Sequence, residues 1–63
     1  MLANEDELLV TIAALNNAAH NLGTEACHRY LSGESEDAER LEAAREWCLV
    51  RAEALTEIVS EEE

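Results

Sequence analysis

Along the first half of the chain, Leu8, Ile12, Leu15, Ala19, Leu22 and Ala26 recur at alternating intervals of four and three residues. This is the rhythm of a helix that buries one stripe against other helices. Asn4 followed by Glu5, Asp6 and Glu7 supplies a start. Asn caps an orphan backbone amide, Glu7 stands at the third helical position as in a capping box, and three acids face the positive end of the dipole. Leucine takes the d positions and mostly alanine the a positions. Alternating large and small layers let helices approach closely, which reads as a bundle core more than as a two-stranded zipper. The first helix is therefore expected over about residues 5–31. The stripe passes Gly23 without losing phase, and a lone mid-helix glycine costs only about 1 kcal/mol. The alternative is a kink, with Thr24 capping a fresh turn.

Ser32, Gly33, Glu34 and Ser35 read as the turn, residues 32–35. Gly33 suits the left-handed position that ends a helix, and Ser35 caps the next, with Glu36 and Asp37 in its first turn. A second helix is expected over about 36–59. Leu41, Cys48 and Leu55 form its central column, with Ala44, Ala52, Ile58 and Val59 beside them and Arg45 and Arg51 each breaking one flank. Ser60 to Glu63 places acids at the negative end of the helix dipole, so residues 60–63 are expected to fray.

Two helices of about 36–40 Å at 1.5 Å per residue, joined by a four-residue turn, make an antiparallel hairpin. The fold class is all-α, with residues 1–63 as one domain. A chain this short buries a smaller share of its surface than a large domain does, and it has neither proline nor phenylalanine to stiffen or fill it. Self-association is the cheapest source of further burial. The hairpin is therefore expected to form a homodimeric four-helix bundle. Its core would be Leu8, Ile12, Leu15, Ala19, Leu22 and Ala26 from the first helix, with Leu41, Cys48 and Leu55 from the second. In its two near-equal helices, central short turn and small/large layers, the chain resembles the Rop family of plasmid copy-control proteins. The resemblance covers architecture only. No RNA-contacting motif is matched, and the basic face such an activity needs is absent.

Charge sharpens the pattern. Leu8 to Thr24 is a run of seventeen residues whose only titratable side chain is His20, in a chain with fifteen acids. With the core stripe of the first helix in front, Val10, Ala13, Ala14, Asn17, Asn21 and Thr24 fall at the back, where an ordinary bundle shows glutamate to water. Small side chains and carboxamides allow close approach without stranding a buried charge. This face is either a docking surface, for a second hairpin or for a target, or a solvated face kept for helix propensity and solubility. On the second helix Glu39, Glu42, Glu46, Glu53 and Glu57 make an acidic outer face, a solvated surface by default, which Glu36 and Arg40 at i, i+4 support by only a few tenths of a kcal/mol.

Net charge is −11 and the only basic residues are four arginines. That disfavours nucleic acid and anionic membranes, because affinity for phosphate backbones comes largely from Lys and Arg displacing counterions. Met1 to Ala3 leads into acids with no basic region of a signal peptide, and the uncharged run holds three Asn, two Thr and a His, unlike a membrane span. A cytoplasmic protein is expected.

Cys27, Cys48, His20 and His28 are the candidate soft ligands. With the turn centred between Gly33 and Glu34, residues whose numbers sum to about 67 lie level. The two cysteines then sit about eight residues apart along the axis, roughly 12 Å, against a Cα limit of about 7 Å for a disulfide. His20 and Cys48 come near each other, but two ligands do not make a structural zinc site, and no third group orients the histidine for a thiolate nucleophile. Free thiols are expected, with Cys48 as a core filler and Cys27 partly exposed, and with no metal, no cofactor and no enzymatic activity. Trp47 is expected to cover the bundle edge, with an interface anchor as the alternative. Arg40 and Arg51 are expected to pair with surface glutamates.

Together these features describe a non-enzymatic, acidic, homodimeric regulator or inhibitor, of the kind phages and mobile elements encode. It would dock on another protein, one with a basic surface, in the manner of a nucleic-acid mimic. The alternative is a structural adaptor or chaperone-like dimer that works through apolar contacts.

Overall fold

The computed structural model describes residues 5–62, with side chains described as far as Glu61. Helix α1 spans Glu5–Leu31 and helix α2 spans Ser35–Glu62, and the two pack against each other as a hairpin. The expected Asn4 cap and Glu63 lie outside the described residues.

α1 runs through Gly23 and Thr24 without a break. The Thr24 hydroxyl does not cap a new turn; it donates to the His20 carbonyl at 3.2 Å. Thr11 bonds to the Glu7 carbonyl at 2.9 Å and Thr56 to the Ala52 carbonyl at 2.8 Å in the same way. Each mid-helix hydroxyl is thus satisfied one turn back within its own helix.

The turn is a Schellman motif. Gly33 has φ 81°, its N–H donates to the Tyr30 carbonyl at 3.1 Å, and the Glu34 N–H donates to the Arg29 carbonyl at 2.8 Å. These two bonds satisfy the last carbonyls of α1 and need a left-handed residue between them. A methyl group on Gly33 would meet nothing within 4 Å, so a substitution there costs backbone strain alone. Gly33→Ala is expected to destabilise by about 1–2 kcal/mol, and Gly33→Asn by less because asparagine tolerates this region. Thermal melts of the two variants check the order.

α2 begins one residue before the expected start. The Glu34 carbonyl accepts the Ala38 N–H at 3.0 Å, which puts Glu34 in the cap position and makes Ser35, the expected cap, the first helical residue. α2 also continues to Glu62, past the point where fraying was expected. Val59, only 8% exposed, packs into the seam just before this last stretch.

The seam between the helices is built of small residues. Ala19, Ala26, Ala38, Cys48, Ala52 and Val59 are buried, and among the described residues no large side chain is fully buried. Leu8, Ile12, Leu15, Leu22, Leu41 and Leu55 are each only half-buried. The alanines let the helices close on each other, and the larger side chains are left astride the edges of the seam. The molecule measures 46 × 19 × 14 Å, and its smallest dimension is little more than the roughly 10–12 Å diameter of one helix. It is therefore a single layer, whereas a stable domain ordinarily packs two. Its surface of 4796 Å² exceeds by roughly 750 Å² the value of about 4,040 Å² expected for a compact chain of its 7.0 kDa mass.

Candidate functional site

Function in so thin a molecule must sit on its faces, and these differ sharply in chemistry. The back of α1 carries Val10, Ala13, Ala14, Asn17, Asn21 and Thr24, all exposed; Val10 is 69% exposed. From Leu8 to Thr24 it bears no charged side chain, and the Thr24 hydroxyl is already engaged within the helix. The acidic face of α2 holds Glu39, Glu42, Glu46, Glu53 and Glu57, again all exposed. The ion pairs found among the described residues leave these five carboxylates without a counter-charge and involve Arg29 alone.

Arg29 closes the turn end of the hairpin. Its Nε donates to Glu25 at 3.2 Å, and its Nη1 lies 3.4 Å from Glu34 and 3.9 Å from Asp37, tying the end of α1 to the start of α2. The hydrogen bond to Glu25, then the charges of Glu34 and Glu25, raise the guanidinium pKa above its ordinary value. At this exposure the clasp orients the turn more than it stabilises it. Glu36 and Arg40 do not form the expected pair, since two long solvated side chains gain little by meeting. With eleven net negative charges and few pairs to lose, added salt is expected to raise the melting temperature by screening repulsion. Melts at low and high sodium chloride check the sign.

Trp47 is not tucked against the seam: it is 57% exposed. The Arg51 guanidinium sits over its ring, 5.1 Å from the centroid, within reach of a cation–π contact. Arg51 therefore takes an aromatic partner where a surface glutamate was expected. With Val50 and Ala54 these two residues line a shallow apolar hollow on the outside of α2. The i, i+4 spacing of Trp47 and Arg51 was the available signal for this contact.

Cys48 is buried in the seam and Cys27 is exposed, both as free thiols. A shallow groove gathers His20, Gly23, Thr24, Cys27 and His28 of α1 against Arg45 of α2. Gly23 eases this approach: a Cβ there would lie 3.2 Å from Arg45 Nε, so the arginine side chain would have to shift by a few tenths of an ångström. Their juxtaposition also matches, within one residue, the register expected from the centre of the turn. Among the described residues, no group of three or more His, Cys, Asp or Glu side chains is placed to hold a metal ion. No helix among them is long and apolar enough to cross a membrane.

No protein-family model, curated protein or solved structure matches this chain. The function is therefore read from the faces themselves.

Proposed function

We propose that this chain is a small, non-enzymatic, acidic regulator or inhibitor that docks on another protein as a homodimer, two hairpins forming a four-helix bundle. The observation that carries the reading is the set of five exposed carboxylates at Glu39, Glu42, Glu46, Glu53 and Glu57, free of ion pairs and lying along one side of a continuous helix. Unpaired charge in such a row attracts a basic surface without first breaking internal contacts. Such a row also imitates the regularly spaced charge of a nucleic-acid backbone, which suits a partner that itself binds nucleic acid. Nucleic acid and membrane are not partners in this reading, and no metal or cofactor enters it. The two unpaired cysteines fit a reducing, cytoplasmic setting.

Dimerisation is supported by the single-layer shape and by the half-buried leucines. The exposed Trp47, Val50 and Ile58 favour a second reading, an assembly adaptor working through apolar contacts. Salt separates the two. Immobilised chain should release an acid-dependent partner steeply between low and physiological salt, and a variant with the five glutamates changed to glutamine should not retain it. A partner held equally well by that variant, at any salt, would replace the first reading with the second.

A further inference from the structure

The two edges of the hairpin are unlike. On one edge, the groove of His20, Cys27 and Arg45 marks a polar flank, which the acidic face of α2 adjoins. The opposite edge is marked by the Arg29–Asp37 contact. At about 100° per residue, Leu15, Ala18 and Leu22 of α1 turn from the seam toward this second edge. Ala44, Trp47, Leu55 and Ile58 of α2 turn toward it too. Leu15, Ala18, Leu22 and Leu55 are half-buried, Ala44 is exposed, and Trp47 and Ile58 are 57% and 43% exposed. Between Asp37 and Glu61 this side of α2 carries no carboxylate; of its two cations, Arg51 lies over Trp47 and the exposed Arg40 stands toward the turn end, in line with Ile58.

We infer that this apolar flank, centred on Trp47, is the surface on which a second copy of the chain seats. The inference rests on the homodimer proposed above and assigns its interface. Three observations select a second copy. The surface in excess of a compact chain is roughly 750 Å², close to the roughly 800 Å² that each partner contributes to a stable interface. The hairpin is one layer thick, and stacking two such flanks supplies the second layer. A chain of charge −11 meets itself at least cost where acids are few and paired, as here, where Glu25 and Asp37 at the turn end lie beside Arg29, since like charges brought together across an interface cost affinity. From Leu8 to Thr24 the back of α1 is also free of acids, but along that stretch Val10 is its only large apolar side chain, and pairing there would leave the leucines, Trp47 and Ile58 in water. A two-fold axis through the flank makes the interface self-complementary, with Trp47 of each copy as its anchor.

Trp47 is the only tryptophan, so its fluorescence reports this surface alone. On concentrating the intact chain, emission is expected to move to shorter wavelength as the mass measured by sedimentation doubles. Trp47→Glu and Ala44→Glu, both at exposed positions, should each raise the dimer dissociation constant about 30-fold or more, as for loss of an interface anchor. Val10→Glu adds the same charge to the back of α1 and should leave the dimer intact. Circular dichroism confirms that each variant remains helical. A dimer that persists in both flank variants, or that is lost in Val10→Glu as well, overturns the assignment of the surface while leaving a dimer in place. So does a dimer whose tryptophan emission never shifts. A chain that stays monomeric at all concentrations overturns both the surface and the dimer, and leaves the flank to a different protein.

Discussion

Ala26→Leu is expected to be among the most damaging single substitutions in the molecule. Ala26 is 1% exposed and lies in the alanine seam between the helices. A larger side chain has nowhere to go without pushing the helices apart or leaving its rotamer. Overpacking of this kind costs about 1–3 kcal/mol, and in a domain this small each kcal/mol moves the melting temperature by about 4–8 °C. Circular dichroism melts of Ala26→Leu check this, with Leu31→Ala as the reference: Leu31 is 82% exposed, so its truncation should shift stability by under about 0.5 kcal/mol. An Ala26→Leu melt equal to that of the parent would mean that the seam is looser than its burial implies.

Leu55→Ala has an expected effect that depends on assembly. In one hairpin Leu55 is only half-buried, and removing it would cost about 1 kcal/mol, part of the 2–5 kcal/mol of a fully buried leucine. If a second hairpin covers it, the cost rises to about 2–3 kcal/mol and the melting temperature of the parent climbs with protein concentration, since association stabilises by mass action. Melts at two concentrations a hundredfold apart, for parent and variant, read both. A small, concentration-independent loss would mean that Leu55 faces water in the native state.

Much of the fold was legible because its determinants are local. Alternating apolar intervals mark α1, and the single left-handed position at Gly33 fixes the turn and hence the pairing of Gly23 with Arg45. The helix ends were less legible. Ser35 looks like a cap by residue type, but the Schellman bonds at Arg29 and Tyr30 carry the chain around so that Glu34 takes that place. At the other end, α2 runs three residues past its expected end at 59, to Glu62. The candidate surfaces were legible in part. The back of α1 and the acidic face of α2 follow from helical phase, and the structure exposes both. The apolar flank did not stand out, because its α1 half was read as bundle core and its α2 half was interrupted by Arg51. Only the exposure of Trp47 beneath that arginine, beside half-covered leucines, brings the two halves together. The Arg29 clasp was missed for a different reason. Its partners Glu34 and Asp37 lie across the turn, where helical spacing rules say nothing.

The pairing of two hairpins is the premise on which both the docking reading and the interface stand, and sedimentation equilibrium tests it most directly. At micromolar concentration the intact chain is expected to sediment at about 14 kDa, twice the 7.0 kDa of one chain, and to dissociate on dilution. A folded, helical species of 7.0 kDa at every concentration would contradict it.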